Sequence, residues 1–123
     1  MDCVDDKICY YCGMPASTKD HVIPQSIIKM MVTTAAALNE LLRNRIRIVQ
    51  ACHECNTLAG ASCQNTLAER KQYIKDKLRK RYAKALRMPD WSDKEIEEVD
   101  GHIRGIVVAG MNLKKLVKNR LSW

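Results

Sequence analysis

Two short cysteine pairs, Cys9-Tyr10-Tyr11-Cys12 and Cys52-His53-Glu54-Cys55, constrain this chain more than any other feature. The turn inside a C-x2-C pair brings both sulfurs to one side. Two such turns offer four soft ligands, which suit a tetrahedral Zn²⁺ with no open position. A single CxxC pair is also compatible with redox chemistry or buried thiols, but two pairs at this spacing favour the metal. Cys3 and Cys63 fit neither pair. Gly13 directly after the first pair and Asn56 after the second suit tight knuckle turns. Four thiolates saturate the ion and leave no place for water, so the cage is expected to be structural and any chemistry must come from elsewhere.

The chain needs such a staple. At 123 residues and 14.1 kDa it has room for one domain, with residues 1–65 as the knuckle core and 66–123 as a helical extension packed on it. Only 5% of its residues are aromatic and phenylalanine is absent, so Tyr10, Tyr11, Trp91 and Trp123 are expected to fill the small core. No apolar run is long enough to span a bilayer, and the first residues are acidic where a signal peptide would be basic. The expected location is the cytoplasm, where thiols stay reduced.

The net charge of +7 is concentrated in one place. Residues 66–87 hold nine Lys/Arg (Arg70, Lys71, Lys75, Lys77, Arg79, Lys80, Arg81, Lys84, Arg87) against Glu69 and Asp76, and the rest of the chain balances. A basic cluster confined to one element is either a phosphate-binding face or a solvated helix.

Pro24 ends an extended stretch that starts at Asp20, and Arg45–Gln50 alternates polar and apolar residues, so these two segments are expected to pair as strands. A helix is expected over about 34–43. Thr66 with Glu69 opens another that should run to about Arg87, with Ile74, Leu78, Tyr82 and Leu86 as its inward stripe. Ser92 with Glu95 opens a third, broken near Gly101. Ile96, Val99, Ile103, Val107, Met111 and Leu113 to Val117 continue an apolar face, and Gly105 and Gly110 count against one unbroken rod. That face is expected to be core, and a homodimer seam is its other use.

Asp20-His21 and Asn56 bring hydrolytic residue types to the two ends of the caged loop. Phosphodiester hydrolysis needs an activated water and a cation on the phosphate. An imidazole can accept the water proton near neutral pH. A carboxylate and an amide oxygen are hard ligands that favour Mg²⁺ or Mn²⁺. Neighbours on a strand point to opposite faces, so Asp20 and His21 would share a site only across a bulge or bend. Taken singly, Asp-His reads as a polar turn and Asn56 as a helix N-cap.

Together, Cys9-x2-Cys12-Gly13, Thr18-x-Asp20-His21-Val22-Ile23-Pro24 and Val49-x-Ala51-Cys52-x2-Cys55-Asn56 resemble an HNH endonuclease of the zinc-knuckle, ββα-metal type. The match covers about residues 9–60, and Arg79–Trp91 is similar to an extension of small phage-encoded members. The resemblance implies an α+β fold with a ββα-metal core and a DNA substrate. It implies His21 as general base, Asp20 and Asn56 as ligands of a catalytic Mg²⁺ or Mn²⁺, and Asn44 as the residue orienting the base. Arg70, Lys71, Lys75, Lys77, Arg79, Lys80, Arg81 and Lys84 would then hold DNA phosphates, and His53 is a surface residue or a DNA contact. Where the family often has Lys or His three residues after the Asn, this chain has Ala59, and Asn44 lies farther from the second knuckle than the family's middle Asn. Ala59 favours an alternative, a catalytically silent zinc-knuckle DNA-binding or accessory protein. A phage packaging or recombination protein, in a bacterial host's cytoplasm, is the partner that the phage resemblance implies.

Overall fold

A computed structural model describes residues 7–23 and 47–123. The helix expected over 34–43 and Asn44 lie outside the described residues. The order is β1 (Thr18–Val22), β2 (Arg47–Ala51), α1 (His53–Ala59), α2 (Leu67–Arg81), α3 (Ala83–Leu86), α4 (Asp93–Glu98) and α5 (Gly101–Ser122). The described residues are mixed α+β, with one small two-stranded sheet and a helical second half.

β1 and β2 pair antiparallel, as expected of the two segments, with His21 opposite Ile48. Thr18, Asp20 and Val22 face inward, toward the helices, whereas Lys19 and His21 face outward beside the exposed Ile48. The first knuckle is tied to this hairpin by Tyr10 N–H donating to the Gln50 carbonyl (2.9 Å).

Helix starts follow the sequence closely. Thr66 Oγ1 accepts from Glu69 N–H (3.1 Å), and Ser92 and Glu95 form the reciprocal capping box. Asp100 caps α5, so the break expected near Gly101 is the start of a new helix. Two expectations need correction. The helix from Thr66 does not run unbroken to Arg87. It stops at Tyr82, whose hydroxyl donates to Glu54 Oε2 (2.6 Å), and resumes as the one-turn α3. Asn56 is not an N-cap: Cys52 takes that place and Asn56 lies inside α1.

The 22-residue α5 is continuous through Gly105 and Gly110. Gly110 has a packing reason, because Met88 lies where its Cβ would be. α5 packs against α2, α3 and α4, which brings the far C-terminal residues back to the knuckles. Its apolar face is core only in part. Val107 and Val117 are buried, but Ile103, Ile106, Leu113 and Leu116 remain exposed. No helix among the described residues is long and apolar enough to cross a membrane.

The main core forms around the sulfurs. Cys9, Cys12, Cys52 and Cys55 cluster with Tyr11, Ala51, Ala59, Ile74 and Leu78, and Leu121 packs against them from α5. The aromatic residues divide: Tyr11 is fully buried, while Tyr10 and Trp123 are 40% and 54% exposed.

Candidate metal centre

The first knuckle turns because Gly13 adopts φ +77°, a left-handed conformation open to glycine at little cost, and its N–H donates to the Cys9 carbonyl (3.0 Å). The second is the start of α1: Cys52 Sγ accepts from Cys55 N–H (3.4 Å), and Asn56 N–H from the next turn closes on the Cys52 carbonyl (3.1 Å). These two turns place all four Sγ atoms within 4.8 Å of one another, all buried, as a group that can hold a metal ion. A tetrahedral ion with metal–sulfur bonds of about 2.3 Å sets sulfurs about 3.8 Å apart, and Cys12 and Cys52 Sγ are 3.7 Å apart.

The electrostatics fit a cation at the centre. Hydrogen bonds from the Cys12 and Cys55 thiols hold the Cys9 thiol down at about 3. The same crowding with Cys12 and Cys9, reinforced by burial, pushes the Cys55 thiol far up. The opposite shifts have one cause: closely packed sulfurs cannot all ionise unless a positive ion lies between them.

The cage carries α1 across the inner face of the hairpin. Asn56 Nδ2 donates to Thr18 Oγ1 (3.0 Å) and, more weakly, to the Lys19 carbonyl (3.4 Å). Asn56 thus touches the two residues that precede Asp20-His21.

Asp20 and His21 do not converge. The bend expected between them is absent, because the register runs without a bulge from Thr18↔Ala51 to Val22↔Arg47. His21 is exposed on the outer face, and Asp20 is buried on the inner one. There Arg70 Nε and Nη2 grip both carboxylate oxygens (2.7 and 2.9 Å), and the Tyr11 hydroxyl donates to Oδ2. Burial pushes the Asp20 carboxyl up, but the hydrogen bonds from Arg70 and Tyr11 outweigh it and hold it below its ordinary range. Burial and the Asp20 acceptor together push the Tyr11 phenol far up.

Arg70 therefore needs correction as a phosphate contact. It is 3% exposed, and its remaining donor Nη1 is held by the Ser62 carbonyl and Gln64 Oε1, both at 2.8 Å. The signal was in the sequence: Arg70 stands four residues before Ile74, at the head of the inward stripe of α2.

The other basic residues of this segment remain at or near the surface, although several are engaged. Arg81 pairs with Glu54 (3.0 Å), and Lys71 Nζ reaches the Trp123 carbonyl (3.2 Å) and lies over the Tyr10 ring. Arg79 pairs with Asp76 (3.1 Å) in the open. Lys71, Lys75 and Arg79 form a row at four-residue spacing, and partial burial plus repulsion from the other two lowers the Lys75 pKa.

Glu54, Arg120 and Trp123 were not singled out as functional by the sequence. Glu54 accepts from Arg120 Nη1 (2.6 Å), Tyr82 and Arg81, joining α1 to the C-terminal ends of α2 and α5. Trp123 lies against Gly13, where any Cβ would meet its ring at 2.6 Å. Apolar periodicity does not reveal such long-range polar ties, since Glu54 and Arg120 are 66 residues apart.

Compared with family profiles, curated proteins and solved structures, the chain matches none.

Proposed function

We propose that this chain is a DNA endonuclease of HNH type, built on a structural zinc held by Cys9, Cys12, Cys52 and Cys55. The observation that carries this reading is the seating of Asn56. The cage fixes α1 so that Asn56 lies against Thr18 and Lys19, the strand residues that precede Asp20-His21, an arrangement of knuckle, hairpin and helix in keeping with a ββα-metal fold. Zinc fits the donor set, since four thiolates at this spacing favour a soft tetrahedral ion, and it supplies folding energy rather than chemistry.

His21 is the residue open to substrate. It stands on the exposed side of the hairpin, where its imidazole can take a proton from an attacking water. The row Lys71, Lys75 and Arg79, with Lys77, Lys80 and Lys84, would hold the phosphate backbone. An anion there relieves the repulsion within the row. Such contacts position a duplex and carry little sequence information. The catalytic Mg²⁺ or Mn²⁺ that this class uses does not fit Asp20 as folded, because Arg70 and Tyr11 take both carboxylate oxygens. No hydrolytic step is therefore assigned to Asp20.

The same observation favours a second reading, a catalytically silent zinc-knuckle DNA-binding protein in which Asp20 is purely structural. Supercoiled plasmid with Mg²⁺ or Mn²⁺ separates the two. Wild type should nick it, and His21→Ala should lose at least about 100-fold of that rate, the low end of what a general base contributes, while keeping the wild-type melting curve. Binding without nicking on duplex and branched substrates would leave only the second reading. Both readings expect binding to fall steeply with added salt, with a shallower slope for Lys75→Gln/Arg79→Gln. A flat salt response would remove the phosphate role from α2.

A further inference from the structure

The last turn of α5 reaches the sulfur cluster with a buried cation, and neither the hydrolytic reading nor the basic face makes use of it. Arg120 is 6% exposed. Its Nη2 lies 3.9 Å from both Cys52 Sγ and Cys55 Sγ, while Nη1 is anchored on Glu54 Oε1 at 2.6 Å. The anchor is itself fixed, because Glu54 Oε2 accepts from Tyr82 (2.6 Å) and Arg81 (3.0 Å).

A divalent ion in four thiolates leaves two net negative charges in a buried site. Unbalanced charge in a buried site is costly. Arg81 and Arg120 share the single negative charge of Glu54, so the group carries one positive charge in excess, and Arg120 brings it to the sulfurs. A guanidinium presents a fixed fork of donors, which lets one side chain hold Glu54 with one nitrogen and reach two sulfurs with the other.

We propose that Arg120 is the counter-cation of the metal cage, so that metal retention depends on the docked C-terminal turn of α5. The proposal rests on the zinc reading above. Hydrogen-bond partners of metal ligands typically change metal affinity 10- to 100-fold. The linkage is reciprocal: if Arg120 tightens metal binding, bound metal must tighten the docking of α5 by the same factor.

The test compares wild type with Arg120→Met, Arg120→Lys and the exposed control Lys115→Met, each titrated with Zn²⁺ against a chromophoric chelator and with Co²⁺ by absorption. Arg120→Met should bind Zn²⁺ about 10- to 100-fold more weakly. Its sulfur-to-cobalt charge-transfer band should move to longer wavelength, because the sulfur lone pairs lose a stabilising donor. Arg120→Lys should fall between it and wild type in both readouts, and Lys115→Met should match wild type.

A folded Arg120→Met with wild-type affinity and band position overturns the proposal. If Arg120→Met does not fold, Arg120→Lys decides: weaker Zn²⁺ binding with a shifted band sustains the role, and an unshifted band assigns Arg120 to Glu54 alone. Wild type that takes up neither ion would sink the zinc reading itself, an outcome distinct from the failure of Arg120.

Discussion

Replacing Cys52 with Ala, or stripping the metal from wild type with a strong chelator, should unfold the domain rather than loosen one end of it. Cys52 has two roles: it is one of the four clustered sulfurs that can hold a metal ion, and its sulfur caps α1 by accepting from Cys55 N–H. Losing the cap costs about 1 kcal/mol. Losing the ion costs far more, since structural zinc contributes roughly 10–16 kcal/mol of apparent binding energy, against about 5–15 kcal/mol for the whole stability of a typical domain. The core cannot make up the difference. Four of the twelve buried hydrophobic residues among those described are the cysteines themselves, and Tyr11 is the one aromatic residue among the twelve. Far-UV circular dichroism and thermal melting, with zinc measured alongside, check this. A metal-free Cys52→Ala protein that still melts cooperatively would show that the cage is not what holds the fold together.

What the sequence revealed and what it hid divide along the length scale of the interactions. The knuckles, the pairing of the two strand segments and the caps at Thr66 and Ser92 were legible because each is set by residues a few positions apart, or by simple alternation. The break at Tyr82 was not: it falls where a hydroxyl reaches Glu54, 28 residues away, a contact that local spacing does not show. The same holds for Arg120. Its environment comes from α1, and nothing within α5 marks it apart from its place three residues after the buried Val117. Counting charges grouped Arg70 with the surface lysines, although its four-residue spacing from Ile74 placed it on the buried stripe. Strand alternation already set Asp20 and His21 on opposite faces. The register runs without the bend that would have reunited them, and Arg70 and Tyr11 hold the Asp20 carboxylate on the inner side.

That buried ion pair carries the second large effect. Asp20→Ala should destabilise the protein by about 3–5 kcal/mol, because it strands the Arg70 guanidinium as an unpaired charge in the interior. Arg70→Met should cost a similar amount by leaving the carboxylate with Tyr11 as its remaining partner, whereas Tyr11→Phe removes one charge-assisted hydrogen bond and should cost about 1.5–3 kcal/mol. The double variant Asp20→Leu/Arg70→Met should be more stable than either single change, since apolar side chains of similar size can replace a buried pair at little net cost. Denaturant melts of metal-loaded protein give the coupling energy through a double-mutant cycle. A single-variant loss below about 1 kcal/mol would show that the pair contributes little to the fold. The double variant also separates two roles that a single Asp20 substitution confuses, because an unstable Asp20→Ala protein would lose activity for either reason. A stable double variant that still nicks plasmid makes Asp20 a structural counter-ion alone. If it is stable but no longer nicks, while His21 and the cage are intact, Asp20 must leave Arg70 during the reaction to serve as a ligand, and the inward pose seen here is then the resting state of an active enzyme.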